Sequence, residues 1–332
     1  MPRARRRADD WHSGTVQRWS DLSDVPAGFG PSAVTIGNFD GVHLGHQALV
    51  GRCRAVAGPQ GRCVAVTLDP HPVAVLRPLE APRRLQTLSD RIAALKAAGA
   101  DEVTVLDTTR GFLAKSPEEF IRSLRGTLPF DVIVEGSEFR FGRGRAGSVE
   151  SLRALGRVDG FRVEEVPAVE AALSDGSVVP VSSTLVRWLL AQGRVACAAR
   201  ALGRPFALAG RVVRGDQRGR TLGFPTANLD HGDIALPADG IYAGQALLPD
   251  GSLRAAAISV GNKPSFGGSE RLCEAHILGF QGLAQEYGWT LRLHFLEWLR
   301  PQFSYSQLEP LIAQISADVQ AVRTLIPETV AA

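Results

Sequence analysis

The stretch that decides the architecture is SAVTIGNFDGVHLGHQALVGRCRAVA, residues 32–57. It opens on a short apolar, β-rich run that ends at Gly37. A turn follows, and from His43 the apolar spacing becomes that of an amphipathic helix. Strand, tight turn and helix in that order begin a βαβ unit. The alternation continues downstream. RCVAVTL (62–68), DEVTVLD (101–107), FDVIVEG (130–136) and FRVEEVP (161–167) read as further strands. SDRIAALKAAG reads as a helix capped by Ser89 and ended at Gly99. SPEEFIRSLRG reads as a helix capped by Ser116 with Pro117 in its first position. DPHPVAVLRP reads as a loop, and SSTLVRWLLAQG (182–193) as the helix that closes this half. Near-continuous apolar strands separated by helices predict a parallel sheet covered by helices. Ligands of such sheets bind beyond the carboxyl ends of the strands. TIGNFDGVHLGH, TLDPHP and VEGSEFRFG all fall there.

After about residue 202 the pattern changes. ALAGRVVRG, IYAGQALL, LRAAAISVG, CEAHILGF and TLRLHFLEWL are short β-like runs divided by Gly, Pro, Asn and Asp. They predict an antiparallel barrel or sandwich. SYSQLEPLIAQISADVQAVRTLI then carries apolar residues at helical spacing. We therefore expect a disordered basic tail over 1–20, an α/β domain over 21–201 and a β domain with a terminal helix over 202–328.

Length and composition agree. The chain has 332 residues, which suggests roughly two domains at about 150 residues each. Apolar residues make up 45% and charged residues 21%, enough to bury a sizeable core. Net charge is only +3, and much of the excess lies in MPRARRR. That leaves no broad basic surplus to suggest nucleic acid as a partner. No apolar run reaches the ~18 residues that span a membrane, so no membrane partner is expected. The arginines at the start precede no apolar segment, so they do not read as a secretory signal. Cysteines 53, 63, 197 and 273 form no CxxC pair. They read as reduced, buried thiols of a cytoplasmic protein.

Four motifs carry chemistry. In GNFDGVHLGH (37–46) a strand end meets a helix start, where free N–H groups and the helix dipole attract anions. His43 and His46 share one face of the first turn, placed to stabilise charge on a leaving pyrophosphate. An HxxH metal pair or two solvated histidines are the competing readings. In VSSTLVRWL (181–189) hydroxyls at a helix start precede Arg187 by a turn. They suit a phosphate, although an ordinary cap also explains them. In GDQRGRTLGFPTAN (215–228) Thr226 and Asn228 face the same way if the segment is extended. Their oxygens suit Mg²⁺ that keeps waters and nucleotide phosphates, against a purely structural loop. In CEAHILGF (273–280) Glu274 and His276 share a strand face. Glu274 is either a base or an edge-strand charge.

Taken together, these segments resemble the bacterial bifunctional riboflavin kinase/FAD synthetase family. HxGH with SSTLVR resembles the nucleotidyltransferase superfamily, and LGFPTANL, LPADGIYAG, SVGNKPSFGG and CEAHIL complete the pattern from about Val34 to Ile326. The resemblance implies a Rossmann-like nucleotidyltransferase domain followed by a riboflavin kinase barrel. It implies phosphorylation of riboflavin by ATP to FMN, then adenylylation of FMN to FAD, both with Mg²⁺. By resemblance, Thr226 and Asn228 hold the metal, Gly219 joins them at ATP, and Glu274 is the base. Gly37, Phe39, Asp40 and Gly45, with Ser183, Thr184 and Arg187, bind ATP or phosphate; His43 and His46 are catalytic and stabilise the adenylyl transfer; Asp69 and Glu138 belong to the adenylylation site. Glu138 stands where the family has Asp or Asn. GLAQEYG is longer than its counterpart, with Glu286 and Tyr287 before Gly288. Asn262 and Ser265 replace threonines. A kinase with a weakened adenylyltransferase half, and a non-catalytic flavin-binding regulator, are the alternatives. Phe39, Phe139, Phe224 and Phe266 are candidates to stack on the flavin, against core packing, the commoner fate of a Phe. Oligomeric state is left open.

Overall fold

The structure is a computed structural model. It describes residues 18–19 and 32–327, except 216, 263–270 and 281–286. Most of the expected tail, the stretch 20–31, Ser265, Phe266, Glu286 and the end point at 328 lie outside these residues. Within the tail, Arg18–Trp19 (β1) pair parallel with Val105 and Leu106, so those two residues are part of the sheet.

The chain folds as two compact units. The first holds a six-stranded sheet of β1, Ser32–Gly37 (β2), Arg62–Asp69 (β3), Glu102–Asp107 (β4), Val132–Gly136 (β5) and Arg162–Val166 (β6). Its order is β1-β4-β3-β2-β5-β6, and its pairs are parallel. Alternate strand residues point to opposite faces, and each face has its own apolar layer. Val34, Ile36, Val64, Val66 and Ile133 pack with Phe120, Ile121 and Leu124 of one helix and Leu152 of another. Ala33, Ala65, Val132 and Val134 pack with Val50, Cys53 and Leu95. The helices responsible are Leu44–Ala57 (α1), Leu88–Ala97 (α3), Pro117–Thr127 (α5) and Val149–Asp159 (α6), with short helices Pro72–Leu76 (α2) and Arg110–Leu113 (α4) between.

Local chemistry explains the ends. Ser116 and Glu119 form a reciprocal capping box on α5. The α3 cap is Thr87, whose side chain accepts from Asp90 N, and not Ser89, which lies inside the helix. The expected Pro-rich loop contains α2, because His71 caps it and Pro72 occupies its first position.

The second unit is built on a closed antiparallel barrel: Phe206–Val213 (β9), Ala227–Asp230 (β10), Gly240–Leu247 (β11), Leu253–Asn262 (β12), Arg271–Ile277 (β13) and Thr290–Arg300 (β14). Its order is β10-β13-β12-β11-β14-β9. Closure leaves no strand edge exposed for pairing. Leu208, Val212, Leu229, Ile258, Cys273, Ala275, Leu291 and Leu293 belong to the core of this unit. The helix Leu308–Leu325 (α9) lays Val319 and Val322 against Ala243 and Ala255. Arg300 on β14 pins it through a two-pronged pair with Asp318, at 2.6 and 2.8 Å.

The units divide between Glu170 and Ala171, and Arg84–Gln86 also belong to the second. The packing boundary thus lies ahead of the expected one at 201/202. Ser183–Ala191 (α7) and Val195–Leu202 (α8) belong with the barrel, not with the sheet. Val186, Leu189 and Leu190 of α7 share one core with Val195, Ala198 and Ala201 of α8 and Phe206 and Leu208 of β9. The small hairpin Glu170–Ala172 (β7) and Val178–Pro180 (β8) precedes them.

Candidate active sites

In the first unit β2 is the switch point: β3 and β4 lie to one side, β5 and β6 to the other. The chain leaves β2 at Gly37 and turns sharply. Phe39 and Val42 take positive φ values of 47° and 39°, flanking Gly41 at 85°, and Val42 N–H donates to Phe39 O at 3.2 Å. The turn delivers His43 to the N-cap of α1. His43 Nδ1 accepts from His46 N at 3.4 Å, so the proton of neutral His43 sits on Nε2. The two imidazoles stack at 3.6 Å between centroids. Gly45 lies in the same first turn.

A cleft opens at the carboxyl ends of the strands. Gly37, Asn38, Leu68, His71, Glu138, Phe139 and Arg145 are among its lining residues. Glu138 is thus one of the side chains that line this cleft. Asp69 ends β3 just before the cis bond to Pro70; it is buried, and the cleft is lined by its neighbour Leu68 instead. Phe39 is a correction. Its ring is fully buried in the apolar layer beneath α1, so only its backbone is placed to meet a ligand. Asp40 is likewise buried in the turn. Phe139 lines the cleft and stacks on Phe141 at 5.3 Å.

Asn38 and His71 were not singled out in the sequence. His71 Nδ1 accepts from Val73 N at 3.2 Å, which leaves its proton on Nε2, 3.2 Å from Asn38 Nδ2. The Asn38 amide and the His71 ring thus form a polar pair at the mouth of the cleft. Their signal was present in GNFDG and DPHP, but neither residue has a periodicity that marks it.

In the barrel, Asn228 on β10 sits directly opposite Glu274 on β13, and Glu274 directly opposite Ser259 on β12. Directly opposed residues share a face. Cys273 and Ala275, which flank Glu274, are buried, so Asn228, Glu274 and Ser259 form a row on the face away from the barrel core. Thr226 immediately precedes β10 and is exposed. A methyl group on Gly215 would overlap the Asn228 amide, and one on Gly219 would overlap Phe224 O. These glycines let the backbone pass close beneath the polar side chains. His276 Nδ1–H donates to Pro225 O at 2.9 Å and meets Phe224 edge-on at 5.5 Å. It anchors the LGFP turn that leads to Thr226.

A second cleft is lined by Gly215, Gln217, Thr226, Asn228, Ala275, Ile277, Phe280, Tyr287 and Trp289, among others. Glu274 is not among its lining residues. Phe280, Tyr287 and Trp289 give it an aromatic wall, of which only Tyr287 stands out in the sequence, as part of the lengthened GLAQEYG. Phe224 faces His276 rather than the cleft.

Ser183, Thr184 and Arg187 occupy the start of α7. Ser182 is the cap, its side chain accepting from Leu185 N at 3.0 Å. That leaves Ser183 and Thr184 in the first turn and Arg187 one turn on.

Two family models cover most of the chain: FAD synthetase over residues 27–184 and riboflavin kinase over residues 202–326. The chain is 35% identical over 294 residues to the bifunctional riboflavin kinase/FMN adenylyltransferase of Escherichia coli K12, covering 87% of this chain and 91% of that one. The chain belongs to the bifunctional riboflavin kinase/FMN adenylyltransferase family. The Listeria monocytogenes member is 32% identical over 316 residues, with 94% and 95% of the two chains covered. A crystal structure from Streptococcus pneumoniae, described as a macrolide-efflux protein, is also similar. Its TM-score is 0.82 at 29% identity, covering 92% of this chain and 98% of that one. Among the described residues of this family member, no helix is long and apolar enough to cross a membrane.

Proposed function

We propose that this chain converts riboflavin to FMN in the barrel and FMN to FAD in the parallel-sheet unit, each at the cost of one ATP. The observation that carries the kinase half is the row formed by Asn228 and Glu274, with Thr226 beside it. Glu274 takes the proton of the riboflavin 5′-hydroxyl as that oxygen bonds to the γ-phosphorus. The bond from the γ-phosphorus to its bridging oxygen breaks, and ADP leaves. Positioning and charge neutralisation supply most of the gain in such transfers. The Thr226 hydroxyl and the Asn228 amide oxygen would hold Mg²⁺. The donor set fits: two neutral oxygens above a glycine cradle suit an ion that keeps waters and substrate phosphates. No group of three or more His, Cys, Asp or Glu capable of holding a metal occurs among the described residues. Bound there, Mg²⁺ neutralises phosphate charge. The aromatic wall of Phe280, Tyr287 and Trp289 suits a planar ring.

In the sheet unit, FMN phosphate oxygen attacks the α-phosphorus of ATP and pyrophosphate leaves. His43 and His46 donate to the phosphates from the first turn of α1. Gly37 and Gly45 allow close approach there, and Glu138 faces the cleft. Ser183, Thr184 and Arg187 form a phosphate-binding group on α7, as the family resemblance implies. We place both reactions in the cytoplasm, in keeping with four free, buried cysteines. The functional division runs near residue 202, where the riboflavin kinase match begins.

Flavin chromatography tests this directly. Purified protein with ATP and Mg²⁺ should yield FAD from riboflavin and, in a parallel reaction, from FMN. FMN accumulating without FAD would support a kinase with a weakened second half. No conversion would support a flavin-binding protein.

A further inference from the structure

Glu135 is the residue that the reaction scheme leaves unexplained. It is the fourth residue of β5 and is 1% exposed. Burying a carboxyl is costly unless it gains partners. Its Oε1 accepts from Ile36 N at 2.7 Å, and no other hydrogen bond is made to it by described residues.

The ladders around it show what it does. β2 pairs with β3 through to Gly37↔Thr67, and β5 pairs with β6 through to Gly136↔Val166. Between β2 and β5, pairing stops at Ala33↔Val132 and Val34↔Ile133. Continuing that register would set Ile36 opposite Glu135. There the strands have parted, and the Ile36 N–H points at β5 with no carbonyl to meet. A buried, unmade N–H costs about as much as a lost hydrogen bond. The Glu135 side chain fills that gap, while β2 and β5 stay a side chain apart. Burial pushes its carboxyl well above the usual range, opposed by the Ile36 bond. That favours an uncharged acceptor, which sets no full negative charge behind a polyphosphate site.

The parted seam opens on Gly37, Asn38 and Glu138, all of which line the cleft. We propose that Glu135 is a positioning residue for FMN adenylylation. It acts as a strut that satisfies Ile36 while holding the ends of β2 and β5 apart, so that the crevice admits the nucleotide. This rests on the crevice being the adenylylation site.

The test uses the full chain with Glu135→Met, similar in length but without an acceptor, and Glu135→Gln, which keeps the carbonyl. Glu135→Met should lower kcat/KM for FAD formation from FMN at least tenfold, chiefly through a higher KM for ATP. Glu135→Gln should stay within threefold of the wild type. Riboflavin phosphorylation should be unchanged in both. Hydrogen exchange at the Ile36 amide should stay slow with Gln and become fast with Met. Glu135→Asp, one methylene shorter, gives a graded second variant should the Met protein not fold; a several-fold loss is expected. Wild-type adenylylation by Glu135→Met or Glu135→Asp would overturn the strut, as would equal losses in Gln and Met. His46→Ala runs alongside. If it made FAD at the wild-type rate, the site reading itself would fall, and the link from strut to reaction with it. The Ile36 exchange data would still decide the strut separately.

Discussion

The sheet unit and the barrel both present polar groups to phosphates, but they assemble them differently. In the sheet unit the histidines are neighbours in sequence, placed by one turn between β2 and α1. The turn and the first residues of α1 together stack His43, the N-cap, on His46 at 3.6 Å. In the barrel, Asn228, Glu274 and Ser259 come from three strands, and their meeting depends on register. A local motif tolerates changes elsewhere in its sheet. A cross-strand row does not, because a slip of one residue sends every side chain to the other face. The two regions should therefore fail separately, and for different reasons.

The largest effect expected in the sheet unit comes from His46→Ala. Losing a donor to developing phosphate charge should lower FAD formation from FMN by about 10²–10³-fold, with riboflavin phosphorylation intact. Initial rates on the two flavins measure both. The barrel counterpart is Gly215→Ala. The added methyl overlaps the Asn228 amide, and a shift of about an ångström at a metal-holding oxygen can cost up to about 10²-fold. Riboflavin phosphorylation should fall by about 10–10²-fold while adenylylation is spared. If both activities fell together in either folded variant, the separation would be broken.

The smallest effect concerns stability. The folded-state pKa of Glu135 is raised above its ordinary value of 4.5. A carboxyl of that kind contributes stability fully below its unfolded pKa and loses it as pH rises through the folded pKa. Glutamine has no such proton to lose. Glu135→Gln should therefore gain in Tm relative to wild type over the pH range above 4.5. Calorimetry across that range checks it. A constant difference would show that Glu135 does not titrate there.

How much was legible beforehand follows the same contrast. The strands of the sheet, the capped helix after Ser116 and the histidine turn could be read from contiguous residues, because period and capping are local. The barrel strands were legible as short runs, and Thr226 with Asn228 as a pair. That Asn228 lies opposite Glu274 was not, since register is set by the whole barrel. The placement of α7 and α8 with the barrel was hidden for the same reason. Their amphipathic faces are evident in sequence, but not which core receives them. Phe39 looked like a ligand contact and is core, because the turn's positive φ swings its ring under α1. Glu135 gave no signal beyond a charge in an apolar strand.

The central claim is that two sites work independently on one chain, and Asn228→Ala tests it most directly. Riboflavin and, separately, FMN are supplied with ATP and Mg²⁺, and the flavins are resolved by chromatography. The account predicts no FMN from riboflavin and wild-type FAD from FMN. FMN formed at the wild-type rate, or FAD formation lost as well in a folded protein, would contradict it.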